Sequence, residues 1–263
     1  MDTVGHNAPR GDVSDQAAAI EKTQEKAAHD QRSEALERMR YVALQGRCGL
    51  LTGPRGAGKT WLTQQLVDEL RRQGTPAETI NLTALPGEEL AFSVASKLGF
   101  GIDVFDTEMS IWALLQDYAE SIRDIGTRHV LVFDDIDRAD DGALPRLNRV
   151  MNLFESTGAC IFTATPKVRR PIRRLLKSAA ELKIELGDLS AAETSQILAQ
   201  RLQRLRIPVT VTDDAVQALQ KLGKGQLDRV KRLAELSSLA VEVEQSHVID
   251  GRLVHEVAGE LRY

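Results

Sequence analysis

The sequence predicts an α/β fold, a three-layer parallel sheet covered by helices on both faces, followed by an all-helical domain. Three observations predict it. Short, nearly continuous apolar runs alternate with amphipathic stretches as far as Gly187. One of these runs breaks directly into a glycine-rich loop. Beyond Leu189 only helical periodicity remains.

The elements follow in order. Residues 1–30 are rich in Ala, Asp, Gln, Glu and Lys, which predicts a mobile polar tail with a helical tendency from Asp15 to Asp30. From Ser33, the pattern SEALERMRYVAL places Leu36, Met39, Tyr41 and Val42 near one helical face. Cys48–Thr52 is a short apolar strand, and TWLTQQLVDELRRQG beyond the glycine loop is a helix stopped by Gly74. Thr79–Leu82 reads as a strand, Glu88–Leu98 as a helix ended by Gly99, and Met109–Ile125 as a longer helix. HVLVFDDID is a strand ending in acids, and Leu144–Phe154 a helix. GACIFTATP is a strand ending in threonines before Pro166, and ELKIEL (Glu181–Leu186) a fifth strand. The predicted organisation is a tail over 1–30, an α/β domain over 31–187 and a helical domain over 188–263. Trp61, Trp112, Met39, Met109 and Met151 read as packing residues.

Composition bounds the function. An apolar share of 42% and a charged share of 27% are those of an ordinary soluble globular protein. With a net charge of −4, a nucleic-acid or membrane surface must be a local patch rather than the whole molecule. No apolar run approaches the ~20 residues that span a bilayer. The polar N-terminus lacks a signal peptide's apolar stretch, so a cytoplasmic location is expected. Cys48 and Cys160 each sit in a strand-like run and read as buried thiols, which fits a reducing compartment. The histidines and cysteines show no metal-ligand spacing.

The chemistry starts at GLLTGPRGAGKTWL, Gly49–Leu62. Residues Gly53, Pro54, Arg55, Gly56, Ala57, Gly58, Lys59 and Thr60 fit the phosphate-loop spacing G-x-x-x-x-G-K-S/T, with Trp61 next in line. Glycines let successive backbone N–H groups face phosphate oxygens without a clashing Cβ. Lys59 reaches the β- and γ-phosphates of ATP, and Thr60 offers its hydroxyl to Mg²⁺. The helix that starts there turns its positive end toward the anion. In HVLVFDDID, four apolar residues set acids at the carboxyl end of a buried strand, where open parallel sheets bind ligands. Asp134 is placed for the Mg²⁺ shell and Asp135 for orienting the attacking water.

Together these features resemble an AAA+ ATPase, and within that superfamily the ExeA-type secretion ATPases and the transposition ATPases of the TniB, TnsC and MuB kind. The resemblance runs from about Ser33 to Leu236 and includes EALERMRYV, GLLTGPRGAGKT, VLVFDDID, FTATP and the segment from Leu186 to Leu202. It implies a helical lid over the nucleotide, assembly of like subunits on ATP binding, and a transposase or secretion component as partner. It further implies that Thr165 is the polar sensor of the γ-phosphate. Three positions depart from the family. Asp135 stands where a Glu is usual, one methylene shorter, which makes slow hydrolysis the alternative expectation. Asp228 takes the place of the second-sensor arginine, leaving Arg229 as the candidate. Arg173 and Arg174 are the nearest candidates for the arginine that reaches a neighbouring subunit.

The segment PKVRRPIRRLLK gathers Lys167, Arg169, Arg170, Arg173, Arg174 and Lys177 without an acid. Such a patch suits a subunit interface, contact with DNA phosphates, or a solvated helix face. Two other classes compete with the ATPase reading. One is a nucleotide-gated DNA- or protein-binding module with very slow hydrolysis, and the other a small-molecule kinase on a phosphate loop.

Overall fold

A computed structural model describes residues 31–103, 105–203 and 209–261. The expected polar tail, with its helical tendency, lies outside the described residues. Helix α1 (Gln31–Gln45) leads into strand β1 (Cys48–Thr52), and helix α2 (Lys59–Arg72) follows the glycine loop. Strand β2 (Ala77–Asn81) precedes a 3-10 turn at Gly87–Glu89 and helices α3 (Leu90–Lys97) and α4 (Glu108–Ile125). Strand β3 (His129–Asp134), helix α5 (Ala143–Phe154), strand β4 (Gly158–Ala164), helix α6 (Arg170–Ala179) and strand β5 (Leu182–Glu185) complete the sheet region.

The strands pair in parallel in the order β2-β3-β4-β1-β5. β4 therefore separates the loop-bearing β1 from the acid-bearing β3, a lateral gap of about 10 Å. Every residue of β3 and β4 is buried, which is why these strands read as unbroken apolar runs. On one face Leu131, Phe133 and Phe162 pack with α3, α4 and α5. On the other, Leu51, Val130, Val132 and Ile161 meet Met39 of α1 and Leu66 of α2. The rings of Phe133 and Phe162 stack with centroids 5.4 Å apart. Cys48 and Cys160 stand in register on β1 and β4, both as free thiols, the second fully buried and the first half-buried.

Three packing expectations need correction. Helix α1 buries Ala35, Met39, Val42 and Ala43, and Tyr41 is 56% exposed. Two residues past Met39, it is turned about 200° away from that face. Met109, in the first turn of α4, lies off the stripe formed by Ile111, Trp112 and Leu115 and is exposed. Trp61 is 40% exposed at a cavity wall, whereas Trp112 is buried as expected.

Helices α7 (Ala191–Leu202), α8 (Asp213–Gly223), α9 (Leu227–Glu244) and α10 (Gly251–Glu260) surround Leu198, Leu219, Leu233, Val241 and Val254. This region adds one parallel pairing between the two-residue strands β6 (Thr210–Val211) and β7 (Val248–Ile249). Two residues are too few to show alternation in a sequence. Among the described residues, no helix is long and apolar enough to cross a membrane.

Candidate active site

The site forms where β1 runs out. The Gly53 N–H donates to the Ala164 carbonyl at 3.2 Å, tying the loop to the end of β4. Gly58 has φ +91, and a Cβ there would lie 2.3 Å from Cδ2 of Leu227 in α9. The position therefore requires glycine twice over, for the left-handed backbone and for the helix packed against it. Helix α2 begins at the next residue, so its N-terminal N–H groups and positive dipole end face the loop.

Lys59 is 6% exposed, and its Nζ donates to the carbonyls of Gly53 at 2.9 Å and Pro54 at 3.1 Å. Burial lowers its pKa below the ordinary lysine value, while the carboxylates of Asp135, Asp137 and Asp134 oppose that shift. The Thr60 hydroxyl donates to Oδ2 of Asp134 at 2.8 Å. Asp134, 2% exposed, also accepts from the Thr163 hydroxyl at Oδ1. Thr163 in turn accepts from the Asp135 N–H at 2.9 Å. Asp135 adopts φ 57, a left-handed conformation uncommon outside glycine. Its carboxylate accepts from the Thr83 hydroxyl at 3.2 Å and stands 3.7 Å from a guanidinium nitrogen of Arg138. Thr165 donates to Asp137 twice, from its N–H at 3.1 Å and its hydroxyl at 2.9 Å.

These groups surround a cavity of about 290 Å³ walled by Arg55, Gly56, Lys59, Thr60, Asp135, Arg138, Thr165 and Asp228. Trp61 lies on its rim and also lines a larger cavity of about 580 Å³. The larger space lies between α1, α2 and the C-terminal helices, against Arg32, Gln65, Ile197 and Lys231. The Lys231 ammonium sits 4.4 Å from the Trp61 ring centroid. A third cavity, of about 470 Å³, runs under α6 past Gly53, Thr165, Arg173 and Lys177.

Lys59, Thr60, Trp61, Asp135 and Thr165 thus meet on one cavity, with Asp134 bonded to Thr60 just behind its wall. Arg229 does not join them. Its neighbour Asp228 lines the cavity instead, because one residue turns a helix by about 100°. All six basic residues of the α6 segment are exposed. Arg169 pairs with Asp141 at 2.9 Å, and Arg173 donates to the Val168 carbonyl at 3.1 Å. Four residues escaped the sequence reading: Thr83, Asp137, Arg138 and Thr163. Thr163 had a signal, since it lies two residues before Thr165 on the same side of an extended strand.

Chemically, the cavity offers a cation and backbone N–H groups for an anion, with carboxylates on the far wall. The Thr60 and Asp134 oxygens, bonded to each other, suit a hard cation such as Mg²⁺, which takes one or two carboxylates and completes its shell with phosphate and water. Among the described residues no group of three or more His, Cys, Asp or Glu could hold a metal alone.

Residues 43–172 match the family described as AAA domain. No curated protein matches the chain. Among solved structures, it is similar to the Holliday junction branch migration motor RuvB of Thermotoga maritima, at 19% identity and a TM-score of 0.60, covering 90% of this chain and 69% of that one. It is similar to the ORC1 protein of Aeropyrum pernix in complex with DNA, at 16% identity and 0.63, covering 87% and 65%. It is also similar to Cdc6p of Pyrobaculum aerophilum, at 16% identity and 0.65, covering 88% and 67%.

Proposed function

We propose, from the premise that this chain has the AAA+ P-loop fold, that it binds and hydrolyses ATP and acts as a nucleotide-driven switch. One observation carries the reading: Lys59, Thr60, Asp135 and Thr165 line a single cavity, with Asp134 bonded to Thr60. The triphosphate fits the smaller space and the nucleoside the larger one, the two meeting at Trp61. On binding, Lys59 exchanges its two carbonyl partners for phosphate oxygens. Mg²⁺ held by Thr60 and Asp134 would neutralise charge on the β- and γ-phosphates. Asp135 orients the attacking water, and Thr165, whose N–H stays on Asp137, turns its one hydroxyl hydrogen from Asp137 to the γ-phosphate end.

A second reading, nucleotide-gated binding with very slow hydrolysis, draws on the short Asp135 side chain and its engagement by Thr83 and Arg138. The switch would act between copies of this chain, with Arg173 or Arg174 reaching the neighbour's nucleotide. Its output would be DNA, met by the exposed cations Lys167, Arg169, Arg170, Arg173, Arg174 and Lys177. The names of RuvB and of the DNA-bound ORC1 favour DNA over a secretion partner. A transposase remains the partner the sequence resemblance suggests.

The test is Lys59→Ala titrated with labelled ATP, with phosphate release followed in the native chain. Losing a charged donor costs about 1.5–3 kcal/mol, so affinity should fall roughly 10- to 100-fold. Undiminished affinity would overturn the proposal. Tight binding by the native chain without phosphate release would leave the gated module.

A further inference from the structure

Arg32, in the first turn of α1, reaches three parts of the molecule with one guanidinium. Its Nη1 pairs with Oε1 of Glu193 in α7 at 2.7 Å. Its Nη2 donates to the carbonyl of Ala57, inside the phosphate loop, at 2.9 Å. The same nitrogen reaches the carbonyl of Gly187, between β5 and the C-terminal helices, at 3.5 Å. The Arg32 side chain is 11% exposed and that of Glu193 7%.

The other carboxylate oxygen of Glu193 is also committed. Oε2 accepts from the N–H and the hydroxyl of Ser190 at 2.9 and 3.0 Å, closing the capping box that starts α7. One acid therefore sets the start of the first C-terminal helix and anchors the arginine that grips the loop. Nε of Arg32 is buried and has no hydrogen-bond partner, so the guanidinium is tied without being saturated.

From this geometry we propose that Arg32 is a positioning residue that couples the C-terminal helices to the phosphate loop. Resting on the ATP reading, the proposal assigns Arg32 the task of transmitting nucleotide occupancy to those helices. Rotation of the helices about the connection at 186–190 carries Glu193 away from Ala57. A rigid, planar guanidinium cannot follow both acceptors. The rotation must either break the pair or pull the loop. Conversely, a nucleotide that fixes the loop fixes the arginine, and through it the start of α7. Leu227 against Gly58 makes a second contact between the same two bodies, but an apolar one without direction.

Hydrogen exchange on the full chain tests this, with Arg32→Gln, Glu193→Gln and the double variant. Without nucleotide, Arg32→Gln should speed exchange at least tenfold in both the loop at 55–60 and α7, while β3 is unchanged. The double variant should be no worse than the single ones, because the two side chains act as a unit. Acceleration confined to α7 would reduce Glu193 to a helix cap and overturn the proposal. Should Arg32→Gln fail to fold, Glu193→Gln carries the same comparison, since it loosens the arginine without removing it.

With a non-hydrolysable ATP analogue, the native chain should protect loop and α7 together. Arg32→Gln should protect the loop alone, and equal protection of α7 in the variant would sink the coupling. If the analogue protects neither segment of the native chain, the ATP reading fails and the nucleotide-free comparison still decides the role of Arg32.

Discussion

On the sheet side of the smaller cavity, Asp134 is buried and held by two hydroxyls, and β3 behind it has no exposed residue. On the helical side, Asp228 stands exposed in the first turn of α9, and the contacts back to the loop and α2 include Leu227 against Gly58, Gln226 beside Gly56, Lys231 over Trp61 and the Arg32–Glu193 pair. The contrast separates grip from response. A carboxylate enclosed by strand ends and held by two hydroxyls has little room to move. A wall joined through a few side-chain contacts can move when the ligand changes.

Three measurements would sharpen or break this contrast. The largest effect belongs to the sheet. Phe162→Ala removes a fully buried ring stacked on Phe133 and should cost about 3–5 kcal/mol in urea unfolding. A loss near 1 kcal/mol would show that the sheet relaxes around the site and is not the rigid wall.

Next comes His129, at the opposite end of β3 from the acids. Burial, with the Arg71 charge second, lowers its pKa from 6.5 to about 4, and Nδ1 lies 2.8 Å from the Tyr118 hydroxyl. The folded chain favours the neutral imidazole, while the unfolded chain takes up the proton near pH 6.5. Its contribution is thus complete above pH 6.5 and is lost as pH falls toward 4, by at most about 3 kcal/mol. His129→Gln should flatten unfolding free energy across that window. An unchanged slope would assign the acid sensitivity to other groups.

The smallest effect is on the helical wall. Asp228→Asn removes a negative charge facing the cavity and should tighten ATP by about 1 kcal/mol, roughly fivefold, in calorimetric titration. Equal affinities would put Asp228 outside the field of the phosphates.

The same division decided what could be read from sequence. Gly53 to Thr60 is contiguous, and Asp134 and Asp135 end an uninterrupted apolar run, so local spacing revealed them. Strand order, the Thr83–Asp135 bond and the Arg32–Glu193 pair join residues far apart in the chain, 161 positions in the last case. No local pattern encodes such distances. Ser190 and Glu193 have the spacing of a helix capping box, a local signal for half of that pair that the sequence reading did not use. Asp228, not its neighbour Arg229, lines the cavity, since adjacent residues on a helix face different directions.

The burial of β3 also bears on how this sequence can drift. A strand enclosed along both faces offers no position where change is neutral, so tolerance for substitution must lie on exposed helix faces such as α6. Altering the reach of Asp134 would require compensating changes in α1, α2 and the opposite helical layer together. The outer helices can diversify while the geometry around Thr60 and Asp134 stays fixed.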